Sequence, residues 1–309
     1  INRRPILGRR NVLPPKFAFC KKDLKNFNPD AVILIDYPGF NMKVAKFAHA
    51  NNYKVFYYIS PQVWAWKKKR VYTLRKVVDK MLLILPFEKD FFDSYNVDCE
   101  FVGHPLLDAV SKEKVVDRKS FCSENNLDLK KEIIALLPGS RKQEVGRMLG
   151  VMLQVIDYFP EYQFVIACVG SLPITYYKSL TGKANVSLVS NKTYQLLQVA
   201  SAALVTSGTA TLETALFDVP EVVCYKGSFI SYIIAKHLIN VKFISLVNLI
   251  MNKLVVKELI QGDLTAKNIV NELNLLLHDP NCQIELLEDY CELKDKLGNK
   301  GASSRAAEI

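Results

Sequence analysis

From Ala31 onward the chain alternates short apolar runs with amphipathic stretches. Ala31–Ile35 is five apolar residues long, the mark of a strand covered on both faces of a parallel sheet. Asp36, Tyr37, Pro38 and Gly39 break that run, and residues 40–51 then place Val44, Phe47 and Ala48 at helical spacing. Further strands are expected at 55–59, 81–85 and 100–102. Residues 108–131 turn polar and charged and read as a linker. The alternation resumes at 133–137, 164–168, 186–189, 202–205 and 222–225. The longest uncharged run, 193–212, is crowded with Gln, Ser and Thr and reads as helix–strand–helix, not as a bilayer span. Buried strands alternating with helices predict an α/β fold of two Rossmann-like units with parallel sheets facing a cleft. The chemistry of such folds sits in the loops that follow strand carboxyl ends.

Composition narrows the class. Half of the 309 residues are hydrophobic and 23% are charged, which excludes a disordered or collagenous chain. The seven cysteines are scattered with no C-x-x-C pair, so neither a zinc site nor a disulfide framework is expected, and a reducing compartment fits. The first 20 residues hold three prolines and Arg3, Arg4, Arg9 and Arg10 without an apolar stretch, and do not read as a signal peptide. Charge is uneven. Residues 1–120 carry 23 Lys+Arg against 12 Asp+Glu, a net of +11, and the rest carries −1. A basic face suits nucleic acid, an anionic membrane or a phosphorylated substrate, and charge alone does not choose.

Two loops are suited to phosphate. Gly139, Ser140 and Arg141 follow the strand at 133–137 and open a helix: the glycine allows close approach, helix N–H groups favour an anion, and arginine grips phosphate bidentately. Ser207, Gly208 and Thr209 do the same after the strand at 202–205, and Glu213, two turns on, can accept from ribose hydroxyls. The plainer readings are an ordinary turn and a helix cap. Two such turns in one unit favour a nucleoside-diphosphate site. The chain has no G-x-x-x-x-G-K-[ST] and no G-x-G-x-x-G, which argues against a P-loop enzyme or a dinucleotide dehydrogenase.

Asp36 lies just past a strand end, where a carboxylate serves as general base or simply caps the next helix. Trp64 and Trp66 stand beside Lys67, Lys68, Lys69 and Arg70, a combination that fits a membrane interface, base stacking on RNA, or core tryptophans beside a solvated basic turn. His104, after the strand at 100–102, reads as a structural histidine. No metal-ligand spacing is present, and neither metal nor cofactor is expected.

Several of these segments resemble one family. Residues 33–41 (I-L-I-D-Y-P-G-F-N), 58–66 (Y-I-S-P-Q-V-W-A-W), 85–88, 101–108, 136–141, 207–213, 245–248 (S-L-V-N) and 297–303 are similar to lipid-A-disaccharide synthase, a family 19 glycosyltransferase of the GT-B fold. The tryptophan stretch is specific to that family, whereas L-P-G-S-R and S-G-T are shared more widely. The resemblance covers about residues 20 to 309. It implies transfer of sugar from UDP-2,3-diacylglucosamine to 2,3-diacylglucosamine 1-phosphate, giving the β(1→6) disaccharide of lipid A and UDP. It implies Asp36 as general base on the acceptor hydroxyl. Gly139, Ser140, Arg141, Ser207, Gly208, Thr209, Glu213 and Asn248 map to the UDP-sugar, and Trp64 to Arg70 to membrane or acceptor. The expected partners are the UDP-sugar donor, the phosphorylated glycolipid acceptor and an anionic membrane surface, without nucleic acid, and a homodimer is left open. The implied location is cytoplasmic, peripheral on the inner face of the bacterial inner membrane. The expected organisation is an acceptor domain at 1–115, a UDP-sugar domain at 116–290 and a tail at 291–309 returning to the first. The family's opening strand and G-E-x-S-G-D loop have no counterpart here and residues 1–19 match nothing in the pattern, so an incomplete first domain is expected. A truncated relative that keeps only UDP binding, or another UDP-sugar GT-B enzyme, are the alternatives.

Overall fold

The structure, a computed structural model, describes residues 13–65, 68–227 and 242–309. It divides into two compact units, Ile1–Pro105 with Leu297–Ile309, and Leu106–Lys296.

In the first unit, α1 (Leu13–Phe27) precedes β1 (Ala31–Ile35), α2 (Pro38–Ala50), β2 (Lys54–Tyr58), a 3-10 turn (Lys68–Arg70), α3 (Val71–Val77), β3 (Lys80–Leu83), α4 (Pro86–Asp93) and β4 (Cys99–Phe101). The four strands are parallel in the order β1-β2-β3-β4. Val32 and Leu34 of β1, Val55 and Tyr57 of β2 and Val44, Ala45 and Ala48 of α2 form the core, with Phe17, Cys20 and Leu24 of α1 packed against it. The expectation that β1 is covered on both faces is corrected. Ile33 and Ile35 are 66% and 56% exposed, because α1 and α2 pack against the Val32 and Leu34 side and β1 lies at an edge of the described sheet. A five-residue apolar run does not distinguish one covered face from two.

The second unit runs α5 (Leu106–Ser111), α6 (Arg118–Glu124), β5 (Glu132–Leu137), α7 (Lys142–Met152), β6 (Tyr162–Cys168), α8 (Ile174–Thr181), β7 (Val186–Ser190), α9 (Thr193–Leu197), β8 (Ala202–Thr206), α10 (Thr209–Leu216), β9 (Glu221–Tyr225), α11 (Leu246–Met251), β10 (Lys257–Ile260), α12 (Ala266–His278) and α13 (Pro280–Lys296). A last helix, α14 (Ala302–Glu308), belongs to the first unit, where Arg305 donates to the carbonyls of Val102, Asn299 and Lys300. The six strands of the second unit are parallel in the order β10-β9-β8-β5-β6-β7. Residues 133–137 of β5 and all of β8 are buried, as covering on both faces requires.

Two sequence expectations fail here. The supposed linker at 108–131 holds α6, capped by the Asp117 carboxylate, which accepts from the Ser120 N–H at 2.9 Å. Phe121 and Cys122 are buried on it, two apolar positions hidden among charges. The first boundary falls at 105 because α5 packs on α10 inside the second unit. Strand β10 was not foreseen, since Lys257 and Glu258 make half of it charged.

All seven cysteines are unpaired. Among the described residues no group of His, Cys, Asp or Glu is arranged to hold a metal, and no helix is long and apolar enough to cross a membrane.

Candidate active site

In the second sheet the chain leaves β5 toward β6 and β7 on one side, then returns to build β8, β9 and β10 on the other. β5 and β8 are therefore neighbours at a topological switch point, where open α/β sheets form a crevice beyond the strand carboxyl ends. The two phosphate-suited turns follow these two strands. A cavity of about 550 Å³ opens there, lined by Gly139, Ser140, Arg141 and Glu144 from one turn and by Thr206, Ser207, Gly208, Thr209, Ala210 and Glu213 from the other. That volume is in the range of small-molecule sites.

Gly139 has φ +106, and a Cβ there would lie 3.0 Å from the Glu144 Cβ and 3.1 Å from its Oε2, so only glycine fits. Arg141 is extended at the start of α7; its N–H donates to Glu144 Oε2 at 3.3 Å and its guanidinium pairs with Oε1 at 2.6 Å. The Arg141 side chain is 79% exposed. A surface pair of this kind is worth about 0–1 kcal/mol, weak enough to exchange for a diphosphate oxygen. Across the cavity, Ser207 donates from its hydroxyl to the Ile244 carbonyl at 3.0 Å. Gly208 caps α10, whose first-turn N–H groups at Thr209 and Ala210 have no partner within the helix. Two helix N-termini thus converge on one cavity, an arrangement that favours a polyanion.

Glu213 also lines the cavity, and Tyr194 of α9 donates to its Oε1 at 2.8 Å. Burial and then Glu213 push the Tyr194 phenol up, so it stays a neutral donor. Thr206 Oγ1 is buried without a hydrogen-bond partner beside the same cavity. Sequence reasoning missed Glu144 and Tyr194. Tyr194 had a signal, because it lies in the first turn of α9, the helix that follows β7.

Asn248 does not line this cavity. It is fully buried; its Oδ1 accepts from the N–H groups of Val255 and Val256, and its Nδ2 donates to Val256 O and Glu258 Oε1. Glu258 in turn accepts from the N–H groups of Ile244 and Ser245. The sequence expectation assigns Asn248 to the UDP-sugar site; here its amide is engaged within the protein. Its side chain holds the loop whose Ile244 carbonyl fixes Ser207.

In the first unit Asp36, Tyr37 and Ile59 have φ of +46, +45 and +59, at the carboxyl ends of the neighbouring strands β1 and β2. Left-handed backbone at a β-branched residue is an outlier, and such strain clusters at functional sites. Asp36 is exposed, and its backbone is held from three sides: its N–H donates to Tyr58 O, and its carbonyl accepts from Tyr57 Oη and Asn41 Nδ2, each at 2.7 Å. Asp36 does not cap α2, whose N-cap is Tyr37 with no side-chain bond.

Trp64 is half-buried: its indole donates to Glu88 Oε1 at 3.0 Å and its ring meets Phe87 edge-on at 4.8 Å. Those contacts match the core alternative for this tryptophan. Glu88 also accepts from Ser60 Oγ at 2.5 Å and from the Leu85 N–H at 3.2 Å, and burial pushes its carboxyl up to about 7. Lys68 and Lys69 are exposed and Arg70 is half-exposed. Trp66 and Lys67 lie outside the described residues. His104 is buried and its imidazole is held down at about 4 by that burial, which suits a structural role.

A family model described as Lipid-A-disaccharide synthetase matches residues 16–309. The lipid-A-disaccharide synthase of Syntrophus aciditrophicus is 44% identical over 296 residues, 93% of this chain and 76% of that protein. That of Geobacter metallireducens is 38% identical over 311 residues, 98% of this chain and 80% of its own length. Among solved structures, the UDP-GlcNAc 2-epimerase of Neisseria meningitidis bound to UDP-GlcNAc superposes with a TM-score of 0.64 at 13% identity, covering 96% of this chain and 81% of that one. A kitacinnamycin glycotransferase gives 0.62 at 12%, covering 99% and 82%. At that identity the likeness carries the GT-B type of fold and nothing further. The relatives carry more, and with the family match spanning nearly all of its length the chain belongs to the lipid-A-disaccharide synthetase family, which are glycosyltransferases.

Proposed function

We propose that this chain transfers the sugar of UDP-2,3-diacylglucosamine to the 6-hydroxyl of 2,3-diacylglucosamine 1-phosphate and releases UDP. The observation that carries the reading is the switch-point cavity, where both anion-suited turns meet. The diphosphate lies against the N-termini of α7 and α10 with Arg141 as its cation, and charge developing on the leaving UDP is stabilised by those fixed dipoles. Glu213 accepts from the ribose. Asp36 takes the proton of the acceptor hydroxyl, whose oxygen then forms the new bond to the anomeric carbon as the bond to UDP breaks.

The acceptor and the surface it comes from are part of the same proposal. Lys68 and Lys69 are exposed on the first unit, and α1 adds Lys16, Lys22 and Lys25 beside exposed Phe19 and Phe27. Cations interleaved with aromatic residues suit an anionic bilayer surface of the inner-membrane type. The test is UDP release by the purified chain with donor and acceptor supplied together or singly. Release that requires both supports the reading. Tight UDP binding with no release under any combination overturns it.

A further inference from the structure

Tyr194 belongs to no phosphate-binding turn, yet it stands in the wall of the cavity and holds Glu213 through a direct bond. We propose that Tyr194 is a positioning residue for nucleotide selectivity: its hydroxyl, 2.8 Å from Glu213 Oε1, fixes that carboxylate so that Oε2 is presented to the hydroxyls of a ribose. The inference rests on the reading of Glu213 as the ribose acceptor.

The geometry supports it in three ways. Glu213 is on α10 and Tyr194 on α9, so the bond ties together two elements that follow different strands, β8 and β7. The Tyr194 ring packs against Phe217 at 5.2 Å, one turn beyond Glu213, which holds the phenol in place independently of the carboxylate. Glu213 has no ion pair among the described residues, in contrast to Glu144, whose oxygens are both engaged by Arg141. A glutamate has three rotatable bonds, and a single neutral donor on one oxygen selects one orientation without cancelling the charge. What remains is one anionic oxygen with a defined direction, suited to accept from a sugar hydroxyl.

The test is isothermal calorimetry of UDP and of 2′,3′-dideoxy-UDP with the whole chain, as wild type, Tyr194→Phe and Glu213→Gln. Wild type is expected to prefer UDP by about 10- to 100-fold, the worth of a hydrogen bond to a charged group. Tyr194→Phe keeps the ring against Phe217 and is expected to reduce that preference by about 3- to 10-fold through weaker UDP binding alone. A thermal melt of the same samples confirms that the variant is folded. Equal weakening of both ligands means a general structural role and overturns the proposal. A preference unchanged in Tyr194→Phe but lost in Glu213→Gln also overturns it while leaving Glu213 as the ribose acceptor. If wild type does not discriminate at all, the reading of Glu213 itself fails, and the proposal with it.

Discussion

The phenol of Tyr57 donates to the main-chain carbonyl of Asp36 across 2.7 Å, from a position with no solvent exposure. Asn41 Nδ2 donates to the same oxygen at 2.7 Å and to Ile35 O at 2.9 Å. A left-handed residue costs of order 1 kcal/mol or more and persists only where surrounding contacts over-determine it. Here a buried tyrosine from β2 and an asparagine from α2 supply those contacts. The Asp36 charge, second to burial, holds the Tyr57 phenol well above its ordinary value, so the carboxylate lies close enough to be felt. The strained turn is thus a built support for an exposed carboxylate.

Asp36→Asn is the sharpest test of that carboxylate. Asparagine tolerates left-handed backbone well and keeps the shape while removing the basicity, so the fold should survive. We expect turnover to drop by about 10²–10⁴-fold, the usual contribution of a general base. UDP affinity by calorimetry should stay unchanged, since the nucleotide is assigned to the second unit. Turnover that survives the substitution removes Asp36 from the mechanism.

Arg141 and Gly139 test the other half of the site. Arg141→Ala should weaken UDP binding by about 1.5–3 kcal/mol, the worth of a charge-assisted contact, and Arg141→Lys should recover only part because it lacks the planar fork. Gly139→Ala forces a Cβ onto Glu144 at a φ of +106 and should cost about 1–3 kcal/mol in urea unfolding. Unchanged UDP affinity in Arg141→Ala would place that arginine outside the site.

The membrane proposal has its own measurement. Replacing Lys68 and Lys69 with Gln should reduce sedimentation with anionic vesicles by about 1 kcal/mol per cation, and added salt should reduce wild-type binding likewise. Equal binding of wild type to anionic and neutral vesicles leaves these lysines as a solvated face.

Much of the site was legible because its signals are local. A buried β-run, a glycine and hydroxyls at a helix start occupy a few consecutive positions, so 133–141 and 202–213 could be read directly. What escaped depends on long-range packing. Tyr194 reaches Glu213 only once β7 and β8 are in place, and Asn248 is turned inward by Glu258, on a strand that half-charged sequence conceals. The exposed face of β1 escaped for the same reason. Five apolar residues set a strand, and only the placement of α1 and α2 decides which side they cover.

Glu88 gives the last prediction, on stability against pH. Its carboxyl is 1% exposed, and burial outweighs the bonds from Ser60, Trp64 and Leu85 to lift it from 4.5 to about 7. A group raised on folding contributes stability that is complete below its unfolded value and is lost as pH rises through its folded one. Glu88 therefore favours the fold near pH 4.5 and costs roughly 3 kcal/mol of that contribution once pH passes 7, at about 1.4 kcal/mol per pH unit. His104 acts in the opposite sense. Its imidazole, lowered from 6.5 to about 4, contributes stability above 6.5 that disappears as pH falls toward 4. The two overlap, so the wild-type curve alone does not isolate Glu88. Glu88→Gln never ionises, keeps an oxygen for Ser60 and Trp64, and loses the Leu85 bond by a pH-independent amount. Melting both proteins from pH 4.5 to 8.5, we expect the stability difference to move in favour of the variant as pH rises, steepest between 4.5 and 7 and levelling off above 7. Trp64 fluorescence should follow the same titration in wild type, because its indole donates to the ionising oxygen. Parallel melting curves across that range would mean that Glu88 does not titrate there.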